Sequence, residues 1–153
     1  MSDLENLYRE VLLDHSRRPE GRGDISGFAV THHELNPSCG DEITLGMSLA
    51  ADGTIDAIGW EGQGCSISTA SASIMTGLLE GEHTETAREM IGEFRAMLRS
   101  PGAEPPERLG DAAAFQGVAR YVMRVKCAML AWVAAEACLL QLGAADEPQS
   151  SQA

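Results

Sequence analysis

Apolar residues recur at helical spacing near the start of the chain and through its second half, and alternate with polar ones in between. Leu4, Leu7, Tyr8, Val11 and Leu12 follow i, i+3, i+4, i+7, i+8 spacing, which predicts an amphipathic helix over residues 3–16. Ser2 with Glu5 fits a capping box at its start, and Arg17-Arg18-Pro19 with Gly21 and Gly23 ends it. Residues 28–35 read as a first strand. Ile43, Leu45, Met47 and Leu49 alternate with Thr44, Gly46 and Ser48, the period of a half-buried strand. Asp52-Gly53 is a hairpin signal, with a return strand over 54–60.

Helical spacing then resumes. Gly62 and Gly64 break the strand pattern, and residues 66–80 read as a helix stopped at Gly81. A helix over 84–99, with Thr84 as N-cap, presents Ala87, Met90, Ile91, Phe94, Met97 and Leu98 on one face. Pro101, Pro105 and Pro106 mark a loop, followed by a short helix over 111–119 and a strongly apolar helix over 126–142 that Gly143 ends. The expected architecture is an α+β fold, a three-stranded antiparallel sheet with helices on one side. One domain over 1–143 and a disordered tail over 144–153 complete it.

Composition narrows the function. The 153 residues suffice for a real core without disulfides. A net charge of -12 argues against nucleic acid, whose phosphates would be repelled. No uninterrupted apolar run approaches the ~20 residues that span a bilayer, so no membrane partner is expected. The start lacks the basic and apolar regions of a signal peptide, which makes the cytoplasm the default location. There, four cysteines point to metal or catalysis rather than disulfides.

Three short segments carry these thiols. Cys39 and Asp41 flank Gly40, and residues i and i+2 of an extended segment point to one side, so a thiolate and a carboxylate could reach one ion. By itself this segment reads better as a turn with a buried cysteine and a capping Asp, since free cysteine is often a core residue. Cys65 follows Gly62-Gln63-Gly64 at or just before a helix start, where the dipole favours a thiolate. Cys127 is expected near a helix start beside Arg124 and Lys126, cations that lower a thiol pKa. Cys138 lies eleven residues further on, roughly 16 Å along a helix, too far to share an ion with Cys127. The histidines His15, His32, His33 and His83 read as structural or solvated. No C-x-x-C zinc spacing occurs, and the Gly-rich loop lacks the Lys-Ser/Thr ending of a P-loop. The residues support a metal or thiol site without fixing its reaction.

Taken together, Asn36-Pro37-Ser38-Cys39-Gly40-Asp41, Gly62-Gln63-Gly64-Cys65-Ser66-Ile67-Ser68-Thr69-Ala70-Ser71, and Lys126-Cys127-Ala128 with Trp132 resemble the IscU/NifU-like family of iron–sulfur cluster assembly proteins. The resemblance spans residues 4–143. Within the family the chain is similar to the SufU branch. Lys126 stands where the scaffold branch has a His, the Leu-Pro-Pro-Val-Lys chaperone-binding segment is replaced by residues 121–126, and the stretch from about Phe94 to Arg120 is longer.

The resemblance implies an IscU-like fold and zinc (Zn2+) bound by Cys39, Asp41, Cys65 and Cys127. It implies a sulfurtransferase serving a SufS-type, pyridoxal-phosphate cysteine desulfurase and, beyond it, downstream SUF scaffold proteins. Cys39 is the expected nucleophile because its loop is flanked by glycine, and Arg124 is expected to steer the partner, to stabilise the thiolate, or simply to pair at the surface. The alternatives are a scaffold on which the same residues hold a transient [2Fe-2S] cluster, and a purely structural zinc module.

Overall fold

The computed structural model describes residues 3–146. Helix α1 (Asp3–Arg17) leads into strands β1 (Val30–Asn36), β2 (Asp41–Leu49) and β3 (Ile55–Gln63), then helices α2 (Ser66–Leu79) and α3 (Thr84–Arg99). A 3-10 segment (Glu107–Arg120) and helix α4 (Val122–Asp146) follow. The strands form one antiparallel sheet in the order β1-β2-β3. Register pairs Leu45 with Trp60 and Met47 with Ile58, so these four share a face, and all four are buried. Helices α2 and α4 pack on that face, which is the architecture that alternation in β2 predicts.

The other face is covered differently. Phe28 stands before β1 rather than in it, and its ring lies over Gly46 and Gly59. A Cβ at Gly46 would meet the ring at 2.6 Å and one at Gly59 at 3.0 Å, so neither position has room for a side chain. Residues 21–23 run beside β3, where Gly23 N–H donates to the Trp60 carbonyl and Trp60 N–H to the Gly21 carbonyl, both at 2.9 Å. This pairing blunts one sheet edge.

The core centres on Trp132, which stacks on Phe94 at 4.1 Å with an interplanar angle of 9°, while Phe115 meets Phe94 edge-on at 5.7 Å. Aromatic pairs of this kind contribute about 0.5–1.5 kcal/mol each beyond their burial. The expected short helix over 111–119 is instead a 3-10 segment of 14 residues, interrupted at Gly110 (φ 49°, ψ -125°). Its task is to drop Leu109 and Phe115 into the core, which needs no 3.6-residue stripe.

Four other expectations change. His83, not Thr84, caps α3, and its Nδ1 accepts the Glu85 N–H at 3.3 Å. Leu7, assigned to the apolar face of α1, is 58% exposed. Helix α4 begins at Val122 and runs through Gly143, where the Arg88 side chain fills the space a Cβ would take and donates to the Leu139 carbonyl at 3.3 Å. The stretch Val122–Gly143 is, against expectation, long and apolar enough to cross a membrane. Here it is a core helix, burying Ala128, Ala131, Trp132, Ala135, Cys138 and Leu139. Ser2 of the capping box, and the tail from residue 147 on, lie outside the described residues.

Candidate metal centre

The thiol segments meet at one end of the sheet. Asn36 and Asp41 are register partners that close the β1–β2 hairpin, with residues 37–40 as its turn. Asn36 organises that turn: its Oδ1 accepts the Ser38 N–H at 3.1 Å, and its carbonyl accepts Gly40 N–H at 2.8 Å and Cys39 N–H at 3.3 Å. Gly40 takes φ +76°, and a Cβ there would meet nothing within 4 Å, so conformation, not space, selects glycine. Cys39 and Asp41 therefore meet through a curled turn, not through the extended alternation expected of them.

Asp41 is the hub. Its carboxylate is buried, with Oδ1 accepting the Cys65 N–H at 3.1 Å and Oδ2 accepting the Ser68 hydroxyl at 2.5 Å. Gly64 permits this approach, since a Cβ there would fall 2.9 Å from Ser68 Cβ and 3.4 Å from Asp41 Cγ. Burial pushes the Asp41 carboxyl up, but hydrogen bonds from Ser68 and from the thiols of Cys39, Cys65 and Cys127 outweigh it, and the net shift is downward. Asp41 thus presents a charged carboxylate to whatever occupies the site.

Cys65 is the N-cap of α2, where its Sγ accepts the Ser68 N–H at 3.5 Å. Cys127 is buried in the second turn of α4 rather than at the helix start. Its position is set by Ser71, which donates to the Ala128 carbonyl at 2.5 Å and accepts the Trp132 Nε1–H at 2.9 Å, pinning α4 to α2. Cys39 Sγ lies 3.6 Å from Cys127 Sγ. Cys39, Asp41 and Cys127 offer donor atoms all within 4.8 Å of one another. Cys65 stands outside this trio, its sulfur engaged at the α2 cap, but its backbone holds the trio's carboxylate.

This donor set fits a soft divalent cation. Burial first, then the neighbouring thiols and Asp41, push the Cys127 thiol far up, so without a cation Cys127 holds on to its proton. A bound cation would reverse that balance, because a coordinating thiol is deprotonated outright. Among the described residues no histidine joins the trio. His15 contacts Ser73 Oγ at 2.7 Å, His32 pairs with Glu34 at 2.7 Å and His33 with Glu42 at 3.3 Å. Cys138 is fully buried in the core, facing the Leu45 carbonyl at 3.6 Å, away from the cluster as its spacing requires. Arg124 is exposed, with its guanidinium 5.0 Å from the Tyr121 ring. Sequence reasoning missed the hydrogen-bonding roles of Asn36 and Ser68. The one available signal was Ser68's position three residues after a helix-capping cysteine.

Comparison with known proteins gives the family. Residues 7–128 match the model of the NifU-like N terminal domain. The zinc-dependent sulfurtransferase SufU of Bacillus subtilis (strain 168) is 42% identical over 88% of this chain and 90% of its own. The iron–sulfur cluster assembly scaffold protein IscU of Streptococcus pyogenes serotype M1 is 38% identical over 86% of this chain and 82% of its own. Among solved structures, an iron–sulfur cluster assembly scaffold protein for the SUF system from Fervidobacterium islandicum AW-1 superposes with a TM-score of 0.78 at 34% identity, covering 85% of this chain and 94% of that one. The N-terminal part of a NifU-like protein from Brucella abortus, at 22% identity, shares the fold with a TM-score of 0.83 over 94% of this chain and 99% of its own. The chain therefore belongs to the NifU-like N-terminal domain family, the iron–sulfur cluster assembly proteins that include SufU and IscU.

Proposed function

We propose that this protein is a zinc-dependent sulfurtransferase that accepts sulfur on Cys39 from the persulfide of a SufS-type, pyridoxal-phosphate cysteine desulfurase. The observation that carries the reading is the division of labour among the thiols. Cys39 and Cys65 are both exposed, but the sulfur of Cys65 caps α2 whereas Cys39 stands on a turn outside any helix, and Cys127 is buried in α4. A thiol that must meet another protein's sulfur belongs on a site of the Cys39 kind. The similarity to a relative named as a zinc-dependent sulfurtransferase supports the sulfurtransferase reading.

Cys39, Asp41 and Cys127 would hold the zinc, and Cys65 would complete the set by turning its sulfur from the α2 cap. When bound, zinc supplies redox-inert charge that keeps thiolates deprotonated at neutral pH. The Cys39 thiolate attacks the outer sulfur of the donor persulfide. A new Sγ–S bond forms, the donor's S–S bond breaks, and the electron pair leaves with the donor cysteine as its thiolate. No net oxidation or reduction occurs. Asp41 is held by Ser68 and the Cys65 N–H throughout, so the pocket keeps its shape while Cys39 moves. Arg124 lies one turn before Cys127 and brings positive charge to the approach of an anionic persulfide. The reaction takes place in the cytoplasm, and downstream SUF scaffold proteins receive the sulfur.

A second reading rests on the relatives named as IscU scaffolds: the same residues would hold a transient [2Fe-2S] cluster. Lys126 favours the first reading, because it stands where the scaffold branch has a His and an ammonium cannot take over that residue's capacity as a ligand. Elemental analysis of the protein purified without added metal, followed by desulfurase turnover with and without it, decides between them. About one zinc per chain with strong stimulation is expected on the coordination chemistry. Iron with labile sulfide, and no stimulation, would replace it with the scaffold reading.

A further inference from the structure

The turn that carries Cys39 contains a polar group with nothing to do. Asn36 is 6% exposed, and its Nδ2 has no hydrogen-bond partner among the described residues. The assignment of the amide is fixed from its other end, since Oδ1 accepts the Ser38 N–H. A buried NH2 without an acceptor is costly to keep, and an apolar residue of similar size would avoid the cost. Such a group is explained if an acceptor arrives in another state of the protein.

The position of the amide limits what that acceptor can be. Asn36 and Asp41 are directly opposed in the β1–β2 register, so their side chains stand on one face of the sheet. That face ends in the cluster of Cys39, Asp41 and Cys127. The Cys39 and Gly40 N–H groups both bond the Asn36 carbonyl, so the backbone of the nucleophile is tied to Asn36 itself. With its sulfur 3.6 Å from Cys127, Cys39 offers the amide nothing. A sulfur added to Cys39 extends the side chain by about 2 Å, carries negative charge and must swing off Cys127.

We propose that Asn36 is a positioning residue for the loaded state: its Nδ2–H donates to the sulfur carried on Cys39 and holds that sulfur until it is passed on. This rests on the sulfur-acceptor reading above. The amide stabilises the charged persulfide and so slows its loss to stray thiols.

The test loads the wild-type protein, N36D and N36S with sulfur from a cysteine desulfurase and cysteine. The donor is removed, and the surviving Cys39 persulfide is followed by intact mass while a small thiol strips it. Zinc content and thermal midpoint are read on the same samples. Both variants keep an acceptor for the Ser38 N–H and lose the Nδ2–H; the serine hydroxyl ends one bond short of that position, and only N36D adds charge. Persulfide loss roughly tenfold faster in both, with zinc retained, is expected from the loss of a hydrogen bond to a charged acceptor. Wild-type persistence in N36S would overturn the proposal, and an effect confined to N36D would assign it to charge instead. If N36D fails to fold, N36S decides. A wild-type protein that never gains sulfur would overturn the sulfur-acceptor reading itself, and this inference with it.

Discussion

Cys39 Sγ and Cys127 Sγ face each other across 3.6 Å although 88 residues separate them in the chain. One sits on a hairpin turn and the other in a core helix. Their meeting joins an exposed thiol to a buried one.

Cys39→Ser is expected to abolish sulfur acceptance and leave desulfurase binding intact, because only a thiolate can form the new S–S bond. Pull-down with the desulfurase and intact mass after loading check the two halves. A normally loaded variant would move the nucleophile to another cysteine.

Asp41 and Ser68 are expected to govern metal retention together. Ser68→Ala removes the hydroxyl that fixes Asp41 Oδ2 and should weaken zinc binding by roughly 10- to 100-fold, the usual effect of losing an outer partner of a ligand. Asp41→Ala should weaken it at least as much and also strands the Cys65 N–H. Competition against a chromophoric chelator measures both, and unchanged affinity in Asp41→Ala would remove the carboxylate from the site.

Ser71→Ala is expected to destabilise the fold by about 1–3 kcal/mol, since it leaves the buried Trp132 Nε1–H without its acceptor. Denaturant unfolding gives the number. A loss below a few tenths would mean that α4 is not pinned through this hydroxyl.

Cys138→Ala should leave zinc content and sulfur transfer unchanged. It should also flatten the alkaline stability profile. Burial pushes the Cys138 thiol up to about 12, from the 9.0 of an ordinary cysteine. The folded state therefore binds this proton more tightly than the unfolded chain does. Its contribution is complete below pH 9.0 and is lost as the pH rises toward about 12. Urea midpoints of the two proteins across that window provide the check, and parallel profiles would exclude the burial effect.

Much of the fold is legible in the sequence because its signals are local. Alternation from Ile43 to Leu49, Asp52-Gly53, and the apolar stripe of α3 each follow from the period of one element. Where a neighbour decides, the pattern fails. Gly143 reads as a stop, yet Arg88 fills its side and the helix continues. The 3-10 segment shows no period because it is held by what Leu109 and Phe115 bury against.

The sequence by itself determined the three cysteine segments, their family, the β2 strand and the exclusion of Cys138, since each depends on residue identity and short spacing. Only the tertiary structure decided that the Asp41 carboxylate is anchored by the start of α2, that the Cys65 sulfur caps a helix while the Cys39 sulfur meets Cys127, and that Asn36 holds a donor unanswered among the described residues at the start of the turn that carries Cys39. Those facts are distances between elements far apart in the chain. They are set by close packing of α2 and α4 on one sheet face, which no local pattern encodes.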